Sequence, residues 1–190
     1  MKKIILISLF SITVIAQWLV PLQMIWHEED IITQGKIYKF KTQPIDPTDP
    51  FRGKYITLNY ELNQYVTKDT SWYGHTEAYV YLKNDSLGFA AIDQVSKVKL
   101  EQSTLDYIKV EDVSFYEYSQ TLHFDFPFNR FYMEEHKAKP AESIVSRRRR
   151  ENDSILTYAK VAVKDGRAAL IDVMVNDMSI ADFVEQMGDE

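Results

Sequence analysis

Apolar and polar positions along this chain fall into two regimes. Residues 4–26 (IILISLFSITVIAQWLVPLQMIW) form an uncharged, mostly apolar run, about 34 Å long as a helix at ~1.5 Å per residue, which is enough to cross a bilayer. Beyond it the pattern switches to period two. In Tyr55 to Leu62, the apolar set Ile56, Leu58, Tyr60 and Leu62 alternates with Tyr55, Thr57, Asn59 and Glu61, as in a half-buried strand. The same alternation predicts strands near 36–42, 76–83, 88–99 with room for a bulge, 106–118 as one strand or two, 121–126 and 131–134. It predicts two more at 157–164 and 168–175, joined by Asp165-Gly166, a pair that supplies the positive φ angles of a tight hairpin. Across that hairpin, Ala159, Val161 and Val163 are expected to share a face with Ala169, Ile171, Val173 and Val175.

Helix signals in the second regime are few. Pro140-Ala141-Glu142 opens a short segment through about Glu151, with proline in the first turn and an acid near the positive end of the dipole. Ser179 to Met187 fits a terminal helix with Ser179 as cap and Ile180, Phe183, Val184 and Met187 on one stripe. The fold class read from this pattern is mainly β: an antiparallel barrel or sandwich with one or two short helices, preceded by one N-terminal transmembrane helix. The expected division is an anchor at 1–26 and a β domain at 27–190.

Charge orients this arrangement. Lys2 and Lys3 precede the apolar run, and Glu28, Glu29 and Asp30 follow it, so the positive-inside rule places the N-terminus in the cytoplasm and the β domain outside, single-pass on the cytoplasmic membrane. An uncleaved signal-anchor explains the full apolar length and brings Trp18 or Trp26 to an interface; a cleaved leader with Val14-Ile15-Ala16 as its site is the competing reading. Pro21 is tolerated in a membrane helix. Lys2 and Lys3 are the only charges before residue 27, so the remainder carries 20 cationic and 28 anionic side chains, a net of −8. That balance argues against nucleic acid as a partner and against general attraction to an anionic membrane. The absence of cysteine excludes disulfides, thiolate metal sites, cysteine nucleophiles and a lipid-modified cysteine.

The segment Asp46-Pro47-Thr48-Asp49-Pro50-Phe51-Arg52-Gly53 reads as a shaped turn feeding a strand, since each proline drives the aspartate before it toward extended geometry. Gly53, Tyr55, Leu58 and Tyr60 then match the motif for which the bacterial GDYXXLXY protein family is named, and the chain resembles that family at these residues. The resemblance extends to the DPTDPFRG lead-in, to Arg130-Phe131-Tyr132-Met133-Glu134-Glu135 and to the hairpin Val161 to Ala169, in the family's order. It implies a membrane-anchored domain of undetermined activity that accompanies polytopic membrane proteins, beside or fused to which such domains are found. The chain departs from the motif at Lys54, where the family name has Asp; an ammonium group cannot replace an indispensable carboxylate, which counts against catalysis there.

Candidate chemistry is sparse. Leu58 and Tyr60 lie on the apolar face of their strand and read as core. Tyr55 faces the other way and, with Asp49 and Arg52, could line a polar groove or sit beside an ion pair that staples the loop. Asp46 and Asp49 are oxygen ligands of a type that suits calcium, but they lack a DxDxDG spacing and serve equally as turn formers. Glu134 and Glu135 are neighbours on a strand and point to opposite faces, so they do not converge. His27, His75, His123 and His136 have no metal spacing, and His123 with Asp125 lacks a nucleophile. Arg147 to Arg150 wraps all sides of a helix, as a solvated helix end or as a contact for lipid phosphate or an acidic partner. No cofactor, metal centre or catalytic residue is assigned. The expected role is a membrane-anchored accessory domain for a polytopic membrane protein; the alternative is a small-ligand or envelope-polymer binding domain using aromatic sheet positions such as Tyr79 and Tyr81, and a hydrolase is the least supported.

Overall fold

A computed structural model describes residues 2–43, 55–132 and 156–188. It opens with one continuous helix, α1 (Lys2–Gln34), which runs eight residues past the apolar stretch. Strands follow in chain order: β1 (Lys36–Gln43), β2 (Tyr55–Thr57), β3 (Asn59–Tyr60), β4 (Gln64–Val66), β5 (Glu77–Asn84), β6 (Ala90–Ser96), β7 (Tyr107–Tyr116), β8 (Thr121–Asp125), β9 (Arg130–Tyr132), β10 (Thr157–Lys164), β11 (Arg167–Val175) and β12 (Met178–Ser179). Helix α2 (Ile180–Gly188) closes the described chain. The helix expected from Pro140 to Glu151, and with it Glu134, Glu135, His136 and Arg147 to Arg150, lies outside the described residues.

The strands form one five-stranded sheet in the order β12-β11-β10-β1-β3, a second in the order β4-β8-β7-β5-β6, and a two-stranded piece, β2-β9. All ladder pairs are antiparallel. The two large sheets turn their apolar faces inward, Tyr38, Phe40, Val161 and Val173 against Val80, Leu82, Val110 and Leu122, in one continuous core. The sheets approach closure as a barrel where a parallel bridge joins Ile108 to Gly166 and the Lys109 amide donates to the Gly166 carbonyl at 2.8 Å. This is the mainly β architecture that the alternation predicts.

The Asp165-Gly166 turn has the predicted geometry, with φ of 50° and 82° and Lys164 paired to Arg167. The facing expected farther along is corrected by a bulge. Lys160 pairs with Asp172 and Val161 with Leu170, which leaves Ile171 as the extra residue. One extra residue reverses the alternation, so Ala168 and Leu170 pack toward the core and Ala169 turns to the outer face. There Ala169 meets Ala162 and Ile31 from the last turn of α1, a contact that local periodicity does not contain. A second extra residue, Asp93, supplies the bulge expected within 88–99, and its carboxylate pairs with Lys83 at 3.0 Å.

Between β4 and β5, a 3-10 turn (Thr70–Trp72) drives Trp72 into the core. Asp69 caps it by accepting the Ser71 amide at 2.9 Å and the Ser71 hydroxyl, and Lys97 adds an ion pair at 2.9 Å while lying over the Trp72 ring. The Ser71 hydroxyl, followed by Lys97, holds the Asp69 carboxyl down at about 2, against 3.8 ordinarily. A carboxylate held low when folded contributes stability above its unfolded pKa and loses it as pH falls through the folded one. The melting temperature of Asp69→Asn should therefore lie below wild type at pH 5 and converge on it between pH ~4 and ~2; a constant offset across that range would refute the cap's titration.

Candidate functional site

Residues 55–60 of the motif form the corner between the sheets. One strand expected over Tyr55 to Leu62 is in fact two: β2 pairs with β9, while β3 crosses to pair with β1. Side-chain alternation survives the break, and Ile56, Leu58 and Tyr60 are 4%, 2% and 2% exposed. At the corner, the Leu58 amide donates to the Asn129 carbonyl at 2.8 Å, and the buried Tyr60 hydroxyl donates to the Phe128 carbonyl at 2.8 Å. The Tyr60 ring packs edge-on against Phe40, Phe126 and Phe128 at 5.8, 5.9 and 5.2 Å. Burial pushes the Tyr60 phenol far above its ordinary pKa, so the hydroxyl is a permanent donor. Leu58 and Tyr60 are thus core residues that hold the chain at 128–129.

Tyr55 opens β2 opposite Tyr132 in register. Its side chain lies outside what the structure describes, as do Asp46, Asp49, Arg52, Gly53 and Lys54, and with them the polar groove expected of Asp49, Arg52 and Tyr55.

The segment that the motif fastens is one wall of a cleft of about 360 Å³, lined by Lys109, Glu111, Asp112, Asp125, Phe126, Pro127 and Asn129. The opposite wall is β7. Glu111 and Asp125 face each other directly in the β7-β8 register, which then shifts before Ser114 pairs with His123. The shift carries Asp112 into the left-handed region at φ 58° and lets the Val113 amide donate to the Thr76 carbonyl at 3.1 Å. Lys109 pairs with Glu77 at 2.9 Å, and that hydrogen bond raises its pKa. The cleft therefore presents carboxylates, one ammonium group and an amide above an apolar floor of Phe126 and Pro127, a chemistry suited to holding a polar molecule by hydrogen bonds and charge. Sequence reasoning singled out Asp125, with His123, and missed Lys109, Glu111, Asp112 and Asn129; the Glu111-Asp112 doublet in the middle of a strand was the available signal.

Among the described residues, the other candidates make ring contacts or lie in the core. His123 and Asp125 share the exposed face as predicted, but the imidazole stacks edge-on against Tyr116 at 5.0 Å. His75 lies edge-on to Trp72 at 5.9 Å. Among the described residues, no three His, Asp or Glu side chains come together as a metal would require. Tyr81, considered as a ligand platform, is fully buried, with its hydroxyl accepting the Leu100 amide at 2.6 Å, because the segment after β6 folds over it. Tyr79 is half-buried beside Tyr107.

No curated protein and no solved structure matches the chain. A family model does, that of the GDYXXLXY protein, over residues 17–173, a span from the apolar helix through the motif corner into β11; the chain belongs to the GDYXXLXY family.

Proposed function

We propose that the protein is a membrane-anchored, extracytoplasmic accessory domain that partners a polytopic membrane protein. The observation that carries this reading is α1. From Ile4 to Trp26 its large apolar side chains are exposed all round, Trp26 by 75%, while its final turn docks on the β domain. A helical stretch that is apolar on every side and is covered by none of the described residues needs lipid or neighbouring membrane helices around it. Its length and hydropathy suit a single span, Lys2 and Lys3 favour a cytoplasmic N-terminus, and the family resemblance supplies the choice of a polytopic partner. Past the apolar anchor, which ends at 26, α1 continues through Gln34, and within these last eight residues Asp30 and Ile31 contact the β domain.

Fusion of reporters to the C-terminus should give activity only from the one that works outside the cytoplasm, and the intact mass should retain residues 1–16. Purification in mild detergent should retain a multi-span protein. A cytoplasm-active fusion, or a mature chain beginning at Gln17, would overturn the topology or the anchor respectively. The cleft supports a second reading, binding of a small polar ligand. Melting-temperature shifts in a small-molecule screen that vanish in Asp125→Asn would favour it.

A further inference from the structure

We propose that α1 and the β10-β11 hairpin form one rigid body that carries movement of the membrane helix into the wall of the cleft; this rests on the reading that α1 spans a membrane. A single residue, Gly35, separates α1 from β1. Its amide donates to the Ile31 carbonyl at 2.8 Å, and a Cβ there would overlap that oxygen and lie 3.2 Å from both Ala162 Cβ and Val163 N. The close approach seats Ile31, 3% exposed, on Ala162 and Ala169. Beside it, Asp30 Oδ1 meets Lys164 Nζ at 2.7 Å. This hydrogen bond and charge hold the Asp30 carboxyl below the usual carboxylate range. A linker of one residue with three such fastenings cannot act as a flexible tether.

The hairpin is fastened equally on its other side. The Gly166 carbonyl accepts the Lys109 amide at 2.8 Å, Ile108 bridges Gly166, and a Cβ at Gly166 would overlap the tip of the Tyr107 ring, which would have to shift. Lys109, and then Glu111 and Asp112, are cleft residues. The path from α1 to the cleft thus consists of one helical turn, one hairpin and the first half of β7, joined by the buried Ile31 contact, the partly exposed Asp30–Lys164 ion pair and the backbone hydrogen bond from Lys109 to Gly166. A partner that tilts or rotates α1 displaces the hairpin and, through it, the carboxylates at the cleft.

The chain has no cysteine, so a label pair can be placed by Glu28→Cys and Tyr118→Cys in the full chain in lipid nanodiscs. Spin-label distances should form one narrow distribution, and insertion of Gly-Ser-Gly-Ser after Gln34 should broaden it ~2-fold or more. Hydrogen exchange carries the second arm. In Ile31→Ala with Lys164→Ala, amides of residues 107–113 should exchange ~10-fold faster, while those of 121–124 keep their wild-type rates and show the domain still folded. A broad distribution in the uninserted chain, or faster exchange confined to 162–169, would overturn the proposal. Carbonate extraction of the same chain from membranes tests the span separately: release would refute the spanning reading, and the proposal with it, whatever the distances show.

Discussion

Tyr60→Ala should cost the domain about 3–5 kcal/mol and lower its melting temperature by about 6–20 °C, at about 2–4 °C per kcal/mol for a chain of this size. The ring is 2% exposed and is the member of the aromatic cluster that touches Phe40, Phe126 and Phe128 together, so its removal leaves a cavity walled by rings from β1 and the cleft segment. Relaxation to fill that space would pull β1 toward 126–128, against the ladder that β1 makes with β10. The hydroxyl contributes separately. Tyr60→Phe keeps the ring but leaves the buried Phe128 carbonyl without its 2.8 Å donor, at a cost of about 1–3 kcal/mol. Leu58→Ala, at the same corner and equally buried, should cost about 2–5 kcal/mol. Thermal or urea melts of the full chain in detergent decide all three. A Tyr60→Ala melt within ~2 °C of wild type would mean that the motif corner is not part of the cooperative core.

Gly166 is the second position where one substitution should act strongly. It sits at φ 82°, where a residue with a Cβ is strained by roughly 1–2 kcal/mol, and a Cβ there would overlap the Tyr107 ring, which adds overpacking of about 1–3 kcal/mol. Gly166→Val should therefore destabilise by about 2–5 kcal/mol, with strain and overlap combined. Gly74 separates the two terms, because it has φ 76° with nothing within 4 Å of its Cβ position. Gly74→Ala should show the strain alone. Tyr107→Ala placed in the Gly166→Val background should recover the overlap and leave the strain, so the two mutations couple favourably in a double-mutant cycle. Equal costs for Gly74→Ala and Gly166→Ala, or additivity of Gly166→Val with Tyr107→Ala, would show that the hairpin does not press on β7, and would weaken the linkage from α1 to the cleft.

Short-range chemistry accounts for the features that the amino-acid sequence carries on its own. The apolar run, the alternation through Ile56, Leu58 and Tyr60, and the two positive-φ residues of the Asp165-Gly166 turn are each written within a few neighbours, because strand facing, helix length and turn geometry depend on local dihedral preference and on which side chains avoid water. By itself the amino-acid sequence thus determined the anchor-like helix, the mainly β class, most strand positions and the buried face of the motif. What remained depends on partners distant in the chain. The bulges at Ile171 and Asp112 arise from how two strands share a ladder, so the residues they redirect, Ala169 toward Ile31 and Glu111 toward Asp125, meet only in the folded pairing. The break of the motif between β9 and β1, the seating of α1 on the hairpin and the cleft itself were decided by tertiary structure alone, because register is a property of a pair of strands, and a single extra residue in one of them changes which side chains converge.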